Sequence, residues 1–159
     1  MVSFVTSEND DKEHDYILSL QENLFQLLDI PYQVVKMCTG DLGFPVARKY
    51  DIEAWMPGQN KYREVTSVST TTDFQARRLN IKYDDKMPSS TIVQAGSGTK
   101  IFGGGIVKKF VHILNGTAFA IGRTIVAILE NYQQKDGGVL IPKILQKYLH
   151  FERITPKKV

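Results

Sequence analysis

Cysteine is nearly absent from this chain, since Cys38 is the only one among 159 residues. A single thiol excludes an internal disulfide and a cysteine-based metal cluster, and it fits a reducing compartment. Histidine is scarce as well, with three residues at positions 14, 112 and 150. They are too scattered to predict a metal site, so we expect each of them in surface or core packing.

Long apolar runs are missing too. No stretch approaches the roughly 20 apolar residues of a membrane-spanning helix. Residues 1–15 are acidic and polar, unlike a secretory signal or a transit peptide. We therefore expect a cytoplasmic protein without a membrane partner. The net charge of +3 permits a polyanionic partner but does not require one.

The chain does have enough apolar material for one domain, because 42% of its residues are hydrophobic. Helical apolar spacing predicts a first helix over residues 10–28, which Ile30-Pro31 ends. Its apolar stripe consists of Ile17, Leu20, Leu24, Leu27 and Leu28. The elements predicted after it are strand 32–37, short helix 44–50, strands 51–56 and 62–68, a short helix from 74, strands 81–83 and 110–114, and helices 118–133 and 142–149. This order predicts an α+β domain in which helices cover an antiparallel sheet.

Residues 84–109 break the pattern, because they are rich in glycine and serine and have no sustained periodicity. We expect a flexible surface insertion there. The stretch Gly96-Ser97-Gly98-Thr99-Lys100 looks like a phosphate-binding loop, but it lacks the required spacing and leads into no good helix.

The segment YREVTSVSTTTDFQARR, residues 62–78, reads as a strand followed by a short helix. Regular alternation places Tyr62, Glu64 and Thr66 on one face and Arg63, Val65 and Ser67 on the other. The carboxylate and hydroxyl groups, beside Arg77 and Arg78, could bind a metal–phosphate group. They could equally form an ordinary polar sheet face.

Arg123 is the most informative anomaly, because it interrupts the apolar helix AFAIGRTIVAILENYQ, residues 118–133. This helix is apolar nearly all round, which predicts burial against a sheet. A guanidinium there either reaches solvent or a structural carboxylate, or is presented to a nucleotide phosphate. Gly122 suggests that something needs its lack of a side chain. In the second reading, Asn115 and Thr117 would line the same pocket.

Together, the combination YREV-S-S-DFQARR and LNGT-x-x-A-x-GRT resembles the C-terminal half of bacterial-type seryl-tRNA synthetases. The resemblance covers most of residues 4–83 and 110–149. It implies a class II synthetase catalytic domain, an antiparallel sheet with flanking helices. Such enzymes activate serine with ATP to seryl-adenylate and then transfer the seryl group to tRNA(Ser).

The resemblance also implies roles for individual residues. Glu64 and Ser67 match positions that hold Mg²⁺ and the nucleotide phosphates, so ATP and Mg²⁺ are the expected cofactors. Asn115 and Thr117 match positions around the serine substrate. Arg123 matches the ATP-contacting arginine of the third signature motif, which makes Arg123 and Glu64 the expected catalytic residues.

Family members have parts without a counterpart here: an N-terminal tRNA-binding arm and the first two class II motifs. The resemblance therefore implies a fold incomplete at its N-terminal side, with residues 1–150 as the C-terminal part of the catalytic domain and 151–159 as a basic tail. Three readings stay open: a catalytic segment that needs a complementing half, a non-aminoacylating paralogue that binds a nucleotide or protein, and an inactive product. The family pattern implies a homodimer or a complementing chain, with tRNA bound only by the complete enzyme.

Overall fold

A computed structural model describes residues 1–86, 91–95, 98–102 and 105–156. The helices are α1 (Asp10–Leu27), α2 (Phe74–Leu79), α3 (Ile121–Tyr132) and α4 (Lys143–Gln146). The strands are β1 (Val2–Val5), β2 (Tyr32–Lys36), β3 (Arg48–Met56), β4 (Lys61–Thr70), β5 (Lys82–Lys86), β6 (Thr91–Ala95), β7 (Gly98–Phe102), β8 (Ile106–Phe110), β9 (His112–Gly116), β10 (Val139–Leu140) and β11 (Arg153–Ile154).

Five strands form the central sheet in the order β1-β9-β4-β3-β2, and every neighbouring pair is antiparallel. This confirms the predicted α+β class. β1 was not predicted, since its four residues gain their strand partners only from β9, more than 100 residues later in the chain. None of the helices in the described ranges is long and apolar enough to cross a membrane.

The largest cluster of the core lies where α1 and α3 pack against β3 and β4. Phe25 of α1 and Ala127 of α3 are fully buried there together with Ile52 and Val65. The predicted apolar stripe of α1 was correct at Ile17 and Leu28, which are buried, but it missed Gln21 and Phe25, which are also buried. Leu20 and Leu27 are 37% and 48% exposed.

Helix α3 is buried on one side only, contrary to the prediction. Thr124 and Ala127 face the core, whereas Ile121 and Ile125 are 67% and 51% exposed. The helix also begins at Ile121 rather than at residue 118. A sequence that is apolar all round cannot tell which side a sheet will cover.

Two further predictions were wrong. The expected short helix at 44–50 is absent, because β3 already begins at Arg48 and pairs with Thr70 of β4. The expected insertion at 84–109 contains strands, since β5 pairs with β8 and β6 with β7. Gly96 and Ser97 of the loop-like glycine stretch lie outside the described residues. Near the C-terminus, β11 pairs with β10, so part of the predicted tail is a strand.

A buried histidine supports β4 from the helix side. His14 of α1 is 0% exposed, and its Nε2 lies 3.2 Å from the carbonyl oxygen of Val68. Arg48 Nε donates to His14 Nδ1 at 2.7 Å, so the neutral ring carries its hydrogen on Nε2. Burial is the main reason that the pKa of His14 is lowered, and the charge of Arg48 lowers it further. The hydrogen bond to Val68 and the charges of Asp10 and Asp15 oppose this shift.

Candidate active site

A bulge in β4 decides which side chains share the face opposite α1. The β3–β4 register passes from Ile52 opposite Thr66 to Glu53 opposite Glu64, which leaves Val65 as an extra residue. Val65 and Thr66 are consequently both buried, at 0% and 2% exposure. A bulge reverses the alternation that follows it, so Glu64 comes to the same face as Ser67. The predicted assignment of these two residues to opposite faces was therefore wrong.

The shared face continues onto the neighbouring strands. Asp51 of β3 pairs with Ser67, and Glu53 pairs with Glu64. On the other side of β4, Asn115 of β9 pairs with Ser69. The sheet register thus sets carboxylate, hydroxyl and amide groups side by side on one surface.

The chain between β9 and α3 runs along β4 and sets the start of the helix. Thr117 N donates to Ser67 O at 3.1 Å, and Ala120 N donates to Val65 O at 2.9 Å. Arg123 Nη1 then donates to the carbonyl oxygen of Glu64 at 2.7 Å and to its Oε2 at 3.1 Å. These contacts place Arg123 next to the bulge of β4.

Arg123 was predicted to lie in the interior of a buried helix, and this prediction was wrong. It occupies the first turn of α3 with its side chain 52% exposed, and Glu64 is its structural carboxylate. Gly122 is exposed beside it, and a Cβ added there would meet no described atom within 4 Å. Packing within the described chain does not explain this glycine.

A second cation approaches the carboxylate group from β3. Lys49 Nζ lies 3.8 Å from Glu64 Oε1 and 2.8 Å from Asp51 Oδ1. Burial raises the pKa of Asp51, whereas its hydrogen bond with Lys49 opposes that shift. The neighbouring charges of Glu64 and Glu53 also favour the protonated acid. Asp51 was not predicted as a site residue, although the alternation of Asp51 and Glu53 on a strand could have indicated it.

Two adjacent depressions occupy this face. The first, of about 510 Å³, is lined by Glu64, Arg123, Asp51, Glu53 and neighbours from β3, β4 and α3. The second, of about 240 Å³, is lined by Met1, Ser67, Ser69, Asn115, Gly116 and Thr117. The structure thus groups Glu64 with Arg123, and Ser67 with Asn115 and Thr117.

The second depression has tightly packed support beneath it. A Cβ on Gly116 would lie 2.8 Å from Cγ2 of Ile17, so this position needs glycine. Gln21 is fully buried next to it, and its Nε2 donates to the carbonyl oxygens of Ser67 and Thr117 at 2.8 and 2.7 Å. Sequence reasoning missed Gln21, although its spacing of four from Ile17 places a polar residue within the buried face.

Other residues near the motif have structural partners. Arg77 forms an ion pair with Asp73 at 2.5 Å, and Arg78 stacks on the ring of Phe74. Glu53 accepts a hydrogen bond from Gln33 Nε2 at 2.6 Å. The described residues include no group of three or more histidine, cysteine or acidic side chains arranged to hold a metal.

Comparison with known proteins identifies the family. A model of the tRNA synthetase class II core domain (G, H, P, S and T) matches residues 1–132. The chain is 52% identical over 151 residues to a serine–tRNA ligase of Dictyoglomus thermophilum, covering 95% of this chain and 31% of that protein. It is also 52% identical over 143 residues to a Pyrococcus horikoshii serine–tRNA ligase, covering 90% of this chain and 28% of the relative.

Solved structures agree with this comparison. Seryl-tRNA synthetase from Pyrococcus horikoshii, crystallised with ATP, superposes with a TM-score of 0.83 at 47% identity. The alignment covers 99% of this chain and 31% of that one. A serine–tRNA ligase from Naegleria fowleri with AMP gives 0.78 at 36% identity, covering 99% and 33% of the two chains. The chain thus spans about a third of these relatives, and it belongs to the tRNA synthetase class II core domain family.

Proposed function

We propose that these 159 residues are the C-terminal segment of a serine–tRNA ligase catalytic core. The reaction would join serine to ATP as seryl-adenylate, release pyrophosphate, and transfer the seryl group to tRNA(Ser). The observation that carries the proposal is the β4 bulge, which brings Glu64 to the same face as Ser67 and Arg123. Identity to serine–tRNA ligases supports the choice of substrate class.

The first depression would bind ATP. The guanidinium of Arg123 is half exposed, so it can turn from Glu64 to a phosphate without leaving the surface. An arginine suits this role because it stays charged and offers several donors in a fixed plane. Its positive charge would stabilise the negative charge that develops as pyrophosphate leaves.

Glu64 and Ser67 fit a Mg²⁺ ion that arrives with the nucleotide. They offer a carboxylate and a hydroxyl on one face, and Mg²⁺ takes oxygen ligands while keeping water and phosphate ligands. The small number of protein oxygens suits a metal bound mainly through the substrate. When bound, the ion would offset phosphate charge and hold the phosphates in place.

The second depression would bind serine. Asn115 and Thr117 line it, and their amide and hydroxyl groups can pair with the side-chain hydroxyl of serine. A site with such partners rejects alanine, because alanine would leave those polar groups without a hydrogen bond.

The complete activity needs more than this chain supplies, since the chain spans 31% of the Dictyoglomus thermophilum relative. We propose that residues 1–150 contribute the part of the catalytic domain described above. The rest of the catalytic core and the tRNA contacts would come from the other parts of a full-length ligase, supplied by the same chain or by a complementing chain. Homodimer formation and a cytoplasmic location belong to this proposal.

The test is serine-dependent ATP–pyrophosphate exchange. We expect none from the 159 residues alone. A chimera in which they replace the matched third of the Dictyoglomus thermophilum ligase should exchange, with the parent ligase as positive control. Arg123→Ala should reduce exchange by about 100-fold or more. The matched control, Arg153→Ala, removes an exposed arginine paired with Asp136 and should leave exchange unchanged.

Two results would contradict the proposal. A folded chimera without exchange would favour the non-aminoacylating paralogue or the inactive product. Exchange by the isolated chain that disappears in Arg123→Ala would show that the remaining core is not required.

A further inference from the structure

The buried amide of Gln21 contacts residues of the second depression from below. Its Nε2 lies 2.8 Å from Ser67 O, 2.7 Å from Thr117 O and 3.1 Å from Thr66 Oγ1. Its Oε1 is buried and has no hydrogen-bond partner among the described residues. The side chain therefore acts as a donor only, and two of its acceptors belong to residues of the proposed site.

Thr117 depends on this amide more than Ser67 does. Ser67 lies within β4 and is held by pairing with Asp51 of β3. Thr117 follows the end of β9 and precedes α3, so no strand ladder holds it. Its carbonyl oxygen accepts hydrogen bonds from Gln21 and Thr66, and its N–H donates to Ser67 O.

Packing alone does not favour glutamine at this position. A buried acceptor without a partner costs free energy, whereas methionine has similar length and no such acceptor. What methionine would lose is the pair of bonds to the two carbonyl oxygens. The hydrogen bonds therefore distinguish a residue that positions the two carbonyl oxygens from one that only fills space in the core.

We propose that Gln21 is a positioning residue that holds Thr117 at a fixed distance from Ser67 and so sets the width of the serine-binding depression. This inference rests on the proposed function for its substrate. It concerns the contact between α1 and the loop after β9, which lies beneath the site rather than in it.

The first test is Gln21→Met in the chimera, measured by pyrophosphate exchange. The KM for serine should rise about tenfold, the size expected from losing about one net hydrogen bond, while the KM for ATP changes less than about twofold. Gln26→Met is the matched control, because Gln26 is exposed on the same helix and donates to Tyr32. An unchanged KM for serine, or equal rises in both KM values, would overturn the proposal.

The second test needs no activity. In the 159-residue chain, Gln21→Met should speed hydrogen exchange of the Thr117 amide about tenfold and leave the Ile52 amide in β3 unchanged. Unchanged exchange at Thr117 would refute the positioning role. If the unsubstituted chimera fails to exchange pyrophosphate, the proposed function fails, and this measurement still decides the role of Gln21.

Discussion

Deleting Val65 tests whether this residue is the extra one that forms the β4 bulge. The deletion restores one-to-one pairing with β3 and leaves Glu64 opposite Glu53, on the same face as Ser67. Val65→Ala is the matched control, because it removes most of the same side chain and keeps the extra residue.

The magnitudes of the two changes differ. Val65 is 0% exposed, so its truncation to alanine removes two buried carbon groups, at about 0.8 kcal/mol each, plus a cavity term. We expect about 2–3 kcal/mol for Val65→Ala. The deletion also removes the Val65 carbonyl oxygen that accepts a hydrogen bond from Ala120 N, which costs about 1–3 kcal/mol more, and it keeps the Glu64 carboxylate beside Arg123 and Lys49.

Urea unfolding of the 159-residue chain, followed by circular dichroism, measures both changes. We expect the deletion variant to fold and to lose about 1–3 kcal/mol more than Val65→Ala. A deletion variant that fails to fold, or that loses more than about 5 kcal/mol beyond the alanine substitution, would show that Glu64 has turned toward the face covered by α1 and would refute this assignment of Val65.

Three further predictions concern stability. Arg123→Ala should lower the free energy of unfolding by about 1 kcal/mol or less, because its ion pair with Glu64 is half exposed. Urea unfolding measures this change, and a loss above about 3 kcal/mol would show that the arginine is mainly structural. The folded-state pKa of His14 is lowered, so its neutral form should support full stability above pH about 6.5, and stability should fall as pH drops through that value toward the folded pKa. Urea midpoints at pH 7.5 and 5.5 measure this, and an equal pH dependence in His14→Gln would contradict it. Gly116→Ala should cost about 1–3 kcal/mol, because the added Cβ would overlap Ile17, whereas Gly122→Ala should leave stability unchanged or raise it by up to about 1 kcal/mol. Equal effects in the two glycine variants would contradict the packing at Gly116.

The sequence predicted those elements whose signals are local. The apolar spacing of α1, the proline that follows it, and the β-rich runs of β2, β3 and β4 all lie within short windows. β1 and the pairing of β5 with β8 depend on partners distant in sequence, so local patterns did not reveal them. Leu20 and Leu27 were wrongly assigned to the buried side of α1, because leucine occurs on several sides of the helix and only the sheet decides which leucines are buried.

The candidate site was predicted through family resemblance more than through pattern. Regular alternation separated Glu64 from Ser67, and only the register with β3 reveals the bulge that brings them to one face. Arg123 drew attention as a charge in an apolar helix, yet its partner Glu64 lies 59 residues earlier in the chain. Gln21 and Asp51 were missed because their importance comes from what the fold places beside them.

The most direct test of the central claim is a crystal structure of the chimera with ATP and Mg²⁺. We predict that Arg123 has left Glu64 to contact a phosphate. Oxygens of Glu64 and Ser67 should lie about 2.1 Å from the metal. A nucleotide bound away from this face, with the pair between Arg123 and Glu64 intact, would contradict the account.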